Sequence, residues 1–313
     1  MSLLSSVLCG TRFSRAAFLF LSAGLATSSA HAVTLLDSFG DNSLDTAAWV
    51  FGSTNGGGSA AVTSGSLALS SGHNGGSQRS AIVTKSTNIN PFANPITISL
   101  SGISISSAST VGTSRGSVIV GRNATHTAVD LTPTETRNMS SDGGQGAGGG
   151  AIGLNYERNN TANTYAIRIV DMGSDNSGLT YALSAAPTDI VWTLDFTGST
   201  FTYTLALTGA VITSITGDQG SAVGAGTSTA TYTIHESFAK FTSDDLLVGS
   251  DSISRLFFNS LNAGGLDTGT TSLFSIDSIT VSAVPEPSTY ALIASAFICG
   301  FVVIRRRRMQ QAS

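Results

Sequence analysis

Cysteine is nearly absent from this 313-residue chain, which has only Cys9 and Cys299, one close to each end. A domain between them can form no disulfide, so its stability must come from packing. Charge is also scarce, at 11% of residues. Between residues 33 and 284 there are nine Lys and Arg against eighteen Asp and Glu, a net charge of −9. This balance excludes a nucleic-acid partner, because phosphate binding needs a basic face.

Long apolar runs are missing from the interior of the chain and occur only at its two ends. Near the N-terminus two arginines precede a short apolar run, residues 16–26, and Ala30 and Ala32 then form an A-x-A cleavage motif. This order is typical of a secretory signal peptide. We therefore predict a signal helix within residues 1–32 that is removed after export.

The C-terminal end has three parts in a fixed order. Pro285, Glu286 and Pro287 form a segment that cannot continue a helix, because proline has no N–H and restricts the residue before it. Residues 290–304 are apolar and predict a transmembrane helix of about 22 Å, shorter than the ~30 Å hydrocarbon core. A basic cluster follows, consisting of Arg305, Arg306, Arg307 and Arg308. Arginines in this position keep the end of the chain on the cytoplasmic side.

This tail resembles the PEP-CTERM sorting signal. The resemblance covers residues 284–313 and implies a bacterial envelope protein recognised by an exosortase-type processing enzyme. It further implies a precursor held transiently in the inner membrane, cut near Pro285–Pro287, and then placed at the cell surface or outside the cell. Proteins with such tails are often found alongside exopolysaccharide, which is therefore a further expected partner.

The body, residues 33–283, alternates apolar and small polar residues throughout. This period of two predicts half-buried strands, and Gly, Ser, Asn and Asp clusters at short intervals favour a β-sandwich. A hairpin is expected where residues 197–200 separate two such strands. Threonine and serine take the outward positions where Lys and Glu are common. The clearest segments are 66–70, 96–100, 103–106, 117–120, 165–169, 190–194, 201–205, 231–234 and 274–281.

The start of the body narrows the expected fold. Residues 37–39 (Asp-Ser-Phe), 44–46 (Leu-Asp-Thr), Trp49 and 65–69 (Gly-Ser-Leu-Ala-Leu) resemble the first strands of concanavalin A-like and laminin-G-like domains. The resemblance implies an all-β jelly-roll sandwich for the ectodomain. No binding residue of those families carries over, because their later site motifs are not found here. Trp49 and Trp192 are predicted core residues, with sugar stacking as the other interpretation.

Catalytic patterns are weak in this body. Residues 112–116 match G-x-S-x-G around Ser114, but a strand rather than a helix follows, so a turn is the better interpretation. A retaining glycosidase needs two carboxylates about 5–5.5 Å apart. Glu135, Glu157 and Glu236 each lack an acidic residue two or four positions away. We therefore predict that the protein is not an enzyme.

A group of aspartates, Asp37, Asp41 and Asp45, occurs close to the start of the body. Calcium takes six to eight oxygen ligands, which acidic loops often supply. The same residues are also common turn formers and helix caps. Calcium is thus a candidate cofactor, and local turn formation is the alternative.

Two functions fit these features. The first is an exported cell-surface or extracellular-matrix protein with a structural or adhesive role linked to exopolysaccharide or biofilm. The alternative is a lectin-like carbohydrate-binding module, with or without calcium as its cofactor.

Overall fold

The alternating sequence segments form β-strands wherever the structure describes them. The structure is a computed structural model, and it describes residues 32–53, 58–72, 79–84, 91, 94–121, 151–171, 179–198, 202–217, 221–233, 255–262 and 266–283. Residues 33–283 make up one compact unit, and the rest of the chain a second. Apart from Ala32, that second unit lies outside the described residues. The predicted signal helix and transmembrane helix therefore stay predictions.

Nineteen strands follow one another in the described ranges. They are β1 (Ala32–Asp37), β2 (Trp49–Ser53), β3 (Ser59–Thr63), β4 (Ser66–Gly72), β5 (Arg79–Thr84), β6 (Ile96–Ser101), β7 (Ser104–Ser107), β8 (Thr113–Gly121), β9 (Ala151–Asn159), β10 (Thr164–Asp171), β11 (Leu179–Leu183), β12 (Asp189–Asp195), β13 (Thr202–Thr208), β14 (Ile212–Thr216), β15 (Ser221–Val223), β16 (Thr229–Thr233), β17 (Arg255–Asn262), β18 (Thr271–Ile276) and β19 (Ser278–Ala283).

The strands assemble into three antiparallel sheets. A seven-stranded sheet has the order β1-β19-β6-β12-β13-β16-β15, and an eight-stranded sheet has the order β14-β11-β10-β9-β8-β17-β5-β2. A small sheet has the order β3-β4-β18-β7. The predicted hairpin is confirmed, because β12 and β13 pair antiparallel with Trp192 opposite Leu205.

All three sheets contribute their apolar faces to one hydrophobic core. On β6 and β12 every second residue is buried, and the residues between them face outward. Trp49 and Trp192 are each 1% exposed, which confirms the predicted core positions. Full burial of one large apolar side chain contributes about 1.5–3 kcal/mol. Packing in this core therefore supplies stability in a domain without disulfides.

Two buried tyrosines connect the large sheets across the core. The hydroxyl of Tyr181 on β11 lies 2.8 Å from that of Tyr203 on β13. The ring of Tyr203 also packs on Tyr232, with centroids 5.0 Å apart. Each hydroxyl of the first pair thus has a partner inside the core, which avoids the cost of an unsatisfied buried polar group.

The chain passes twice between the seven-stranded sheet and the small sheet. The segment from β6 to β7 turns at Gly102, and the segment from β18 to β19 turns at Asp277. Gly102 has φ of 62°, which favours glycine, and a Cβ there would overlap the Asp277 carboxylate. The Gly102 backbone and the Asp277 side chain therefore pack against each other, and a larger residue at position 102 would displace the carboxylate.

The small sheet packs on the inner face of the eight-stranded sheet. The ring of Phe274 on β18 lies directly over Gly116 on β8. Beside this contact, the Ser114 and Ser272 hydroxyls are 2.6 Å apart, and those of Ser71 and Ser260 are 3.0 Å apart. These contacts confirm the all-β class and show how three sheets share one core. In the described residues no helix is long and apolar enough to cross a membrane.

We expect Gly116→Ala to destabilise the protein by about 1–3 kcal/mol, because the new methyl group would overlap the Phe274 ring and force repacking. Chemical denaturation of purified protein measures this change. Gly40→Ala is the matched control, since its nearest neighbouring atom, Ser38 Oγ, would be 3.5 Å from the added carbon. Equal stability of both variants and the unmodified chain would contradict the close packing of Phe274.

The tyrosine pair predicts a loss of stability at alkaline pH. Burial raises the pKa of Tyr181 to about 12, with the hydrogen bond to Tyr203 acting in the opposite direction. Burial also raises the pKa of Tyr203. An unfolded tyrosine ionises near pH 10. The contribution of the neutral Tyr181 side chain to the free energy of unfolding is therefore fully present below pH 10 and is lost as the pH rises through about 12.

Urea denaturation between pH 8 and pH 12 tests this expectation. Tyr181→Phe should lower stability at pH 8 by about 1 kcal/mol, because the Tyr203 hydroxyl loses its partner. The same variant should lose less stability above pH 10, since one buried titrating group is gone. The double variant Tyr181→Phe/Tyr203→Phe controls for the stranded hydroxyl. Parallel pH curves for all three proteins would show that these phenols do not govern the alkaline transition.

Candidate functional site

The residues predicted to direct sorting lie outside the described part of the chain. These are Ala30, Pro285, Glu286, Pro287 and the cluster Arg305–Arg308. Ala32, the last residue of the predicted signal peptide, is the first residue of β1. Export and sorting therefore stay predictions at this point.

The three aspartates predicted as calcium ligands are each engaged locally. Asp37 accepts hydrogen bonds from the Phe39 backbone N–H at 2.9 Å and from the Trp49 indole N–H at 2.7 Å. Asp41 accepts from Ser43 N–H, and this bond lowers the pKa of the Asp41 carboxyl.

Asp45 accepts from the Ala47 backbone N–H at 2.8 Å. Across the described ranges, no three His, Cys, Asp or Glu side chains form a group that could hold a metal. The contacts around Asp37, Asp41 and Asp45 fit local turn formation, and calcium binding by these aspartates stays a prediction.

Ser114, the residue of the G-x-S-x-G pattern, is completely buried on β8. Its hydroxyl contacts Ser272 and accepts a hydrogen bond from the Asn160 side-chain amide at 3.1 Å. A nucleophilic serine must reach solvent and a substrate, so these contacts indicate a structural serine.

The outward face of the eight-stranded sheet contains a pair of opposite charges. Arg115 on β8 lies opposite Glu157 on β9, and its guanidinium contacts one carboxylate oxygen at 2.7 and 2.8 Å. The two side chains are 14% and 18% exposed. Nearby on the same face, Ser117 and Asn155 are opposite each other and nearly buried. This face is thus polar but largely enclosed.

The outward face of the seven-stranded sheet is chemically different, since hydroxyl groups cover it. One row crosses five adjacent strands from β19 to β16, and the registers place these five side chains side by side. The row is Ser282, Thr97, Thr193, Thr204 and Thr231. Three further rows run beside it, and we call the whole set the hydroxyl face. Its remaining hydroxyl residues are Ser99, Ser101, Thr202, Thr208, Thr229, Thr233, Ser278 and Thr280.

The hydroxyl face is ordered and almost without charge. Neighbouring strands are about 4.8 Å apart, so the central row spans roughly 19 Å. The Thr97 and Thr193 hydroxyls are 2.9 Å apart. On β6, β12, β13, β16 and β19 the charged residues are Asp189 and Asp195, which lie at opposite ends of β12. Val191, Ala206 and the exposed Val223 of β15 supply the apolar part of the face.

The alternating sequence predicts threonine and serine at outward positions but does not predict this row. The available signal was the run of alternating threonines in β13 and β16. This run does not reveal the strand order, and it is the strand order that brings Thr97 and Ser282 into the row from distant parts of the chain.

The chain is similar in structure to several solved proteins. An endo-1,3-β-glucanase from Streptomyces sioyaensis aligns at a TM-score of 0.49 and 12% identity over 82% of this chain and 98% of its own. A seed lectin from Lotus tetragonolobus aligns at 0.45 and 12% over 82% and 100%. Peanut lectin aligns at 0.42 and 14% over 77% and 93%. At these values the likeness supports no statement about activity or ligand. No family model and no curated protein matches the sequence.

Proposed function

We propose that this protein is an exported adhesive β-sandwich that binds a neutral polysaccharide of the cell surface or extracellular matrix through its hydroxyl face. The observation that carries the proposal is the row of five hydroxyl side chains on five adjacent strands. A concanavalin A-like jelly roll is the family we propose for the sandwich. The proposed role is binding, not catalysis.

Hydroxyl side chains suit an extended sugar polymer. Each threonine or serine hydroxyl can donate one hydrogen bond and accept two, which matches the hydroxyls of a sugar chain. One such bond contributes only about 0.5–1.5 kcal/mol, so an array is needed. Threonine in a strand is restricted at χ1, and the paired backbone is rigid, so little conformational freedom is lost on binding.

The charge of the face favours a neutral polymer. Binding of a neutral ligand to this face would take few charged side chains out of water, because Asp189 and Asp195 lie at the margins of the face. Residues 33–284 carry a net charge of −9, so an anionic polysaccharide would be repelled. These two points support a neutral glycan as the partner.

A lectin-like site for a single sugar is the second candidate function. It is favoured by the Arg115–Glu157 pair together with Asn155 on the eight-stranded sheet. Charged and amide groups can orient a sugar by directional hydrogen bonds. The near burial of Asn155 and Ser117 makes this face the weaker choice.

Replacing Thr193, Thr204 and Thr231 together by valine should weaken retention on neutral exopolysaccharide prepared from producing cells roughly tenfold or more. The change removes three hydroxyls while keeping the β-branched shape that strands favour. A sedimentation assay with the insoluble polysaccharide measures the bound fraction.

The matched control changes three exposed threonines on the other two sheets, Thr63, Thr164 and Thr216, to valine. It should bind like the unmodified chain, and the corresponding Thr→Ser triple variant should retain most binding. Assays with added calcium and with a chelator identify any calcium dependence. Unchanged retention of the Thr193/Thr204/Thr231 variant would overturn the assignment of the binding face.

We further propose that an exosortase-type enzyme processes the tail near Pro285–Pro287 and that the mature protein leaves the inner membrane. Intact mass of the protein from producing cells should then show loss of the segment that contains Arg305–Arg308. A second sample from cells without the processing enzyme should keep that segment. A mature protein that still carries the four arginines would contradict this route.

A further inference from the structure

Two apolar residues lie side by side within the hydroxyl face. Val191 on β12 and Ala206 on β13 are direct cross-strand partners. The Val191 side chain is 37% exposed, so it is open to solvent and to a ligand. The strand registers place the two residues in the middle of a row, with Ser99 of β6 on one side and Thr229 of β16 on the other. We call this the Val191 row.

Oxygen-bearing side chains lie along both sides of the Val191 row. Residues two positions apart on a strand face the same side and are about 6.7 Å from each other. On one side lies the central row of the hydroxyl face. On the other side lies a row that we call the Asp189 row, which consists of Ser278, Ser101, Asp189 and Thr208. The two flanking rows are therefore about 13 Å apart, with the apolar residues between them.

Both flanking rows can form hydrogen bonds to a ligand. In the central row the Thr97 and Thr193 hydroxyls are 2.9 Å apart, and this pair retains a donor and several acceptor positions. In the Asp189 row the Asp189 carboxylate accepts from the Gly102 backbone N–H at 3.3 Å and from the Thr188 hydroxyl at 2.8 Å. These bonds hold the carboxylate in place and leave it lone pairs for a further donor. A ligand between the rows thus meets partners at both of its edges.

The apolar centre has the size of a sugar ring and is too small for a protein partner. Apolar patches that bind proteins usually measure several hundred Å². Here the centre consists of two side chains on adjacent strands, Val191 and Ala206. The C–H face of one sugar ring covers such a pair, while the hydroxyls of the ring point outward to its edges.

The arrangement of the rows selects the shape of a polysaccharide. A β-1,4-linked chain of glucose is a flat ribbon, because its ring faces carry only C–H groups and its hydroxyls project from the two edges. On this sheet the ring faces would cover Val191 and Ala206, and the edges would meet the central row and the Asp189 row. Each sugar advances by a distance close to the strand spacing of about 4.8 Å, so the ribbon can run across the strands. Rotation at each linkage lets a single chain follow the twist of the sheet.

Chains with other linkages do not have this shape. The α-1,4-linked glucose chain of starch and the β-1,3-linked chain of curdlan wind into helices, so successive ring faces turn away from a common plane. Only one ring of a helix could cover Val191 and Ala206. The two flanking rows could not meet both edges of such a chain along its length.

We propose that the hydroxyl face binds an extended, ribbon-shaped glycan of neutral β-1,4-linked sugars, which crosses the strands along the Val191 row with its ring faces on Val191 and Ala206. This inference rests on the proposed function, since it names the class of polymer that the same face takes. The flanking hydroxyls supply the hydrogen bonds, and the two apolar residues supply the contact with the ring faces.

The test compares three insoluble glucose polymers in a sedimentation assay with the full-length chain: amorphous cellulose, starch granules and curdlan. All three contain the same sugar and are neutral, so linkage and shape distinguish them. Retention on amorphous cellulose should exceed retention on the other two by roughly tenfold, the effect of about two hydrogen bonds. Val191→Thr should weaken retention on cellulose about fourfold, because a ring face would then cover a hydroxyl in place of a methyl group.

Val211→Thr is the matched control, because Val211 is 40% exposed and lies between β13 and β14, outside the seven-stranded sheet. It should bind cellulose like the unmodified chain. Equal retention on the three polymers, no retention on cellulose, or unchanged retention of Val191→Thr overturns the inference. The proposed function is tested separately with the polysaccharide of producing cells, and it fails only if the Thr193/Thr204/Thr231 variant retains that polysaccharide unchanged.

Discussion

Burial of one side of nearly every strand in a single shared core is the constraint on which this structure depends. The described residues have no disulfide to limit the unfolded chain, so apolar packing between three sheets must supply the stability. Packing at this density leaves little room for larger side chains. The ring of Phe274 over Gly116 shows how closely the small sheet approaches the eight-stranded sheet. Because the inward positions are committed to this core, only the outward positions can carry surface chemistry. The hydroxyl face is the result on the seven-stranded sheet.

In this protein hydroxyl groups form many of the polar side-chain contacts that charged groups form in other proteins. Inside the sandwich, Tyr181 pairs with Tyr203, Ser114 with Ser272, and Ser71 with Ser260. Each partner can donate to or accept from the other, so a buried pair satisfies itself without the desolvation cost of an ion pair. The partly buried Arg115–Glu157 pair lies instead on the outward side of its sheet. A surface with few ions is also well suited to a neutral, hydroxyl-rich partner.

Much of the fold could be predicted from local pattern, and the candidate sites could not. The period of two identified the strands, the hairpin between β12 and β13, and the burial of Trp192. The aspartates near the start of the body show the limit of local reasoning. Asp37 binds the indole of Trp49, twelve residues away, and this contact follows from how the chain folds back rather than from spacing. Similarly, glycine is needed at the Gly102 corner because Asp277, at the turn between β18 and β19, occupies the space beside it.

The sequence alone determined that the body is all-β, that it folds without disulfides, and that its outward positions carry threonine and serine. It also provides the two terminal patterns from which export and sorting are predicted. The tertiary structure alone places the hydroxyls of five strands from separate parts of the chain in one row. The physical reason is that alternation dictates which side of a sheet a residue faces. Its neighbours on that side are set by strand order and register, which depend on packing of the whole chain.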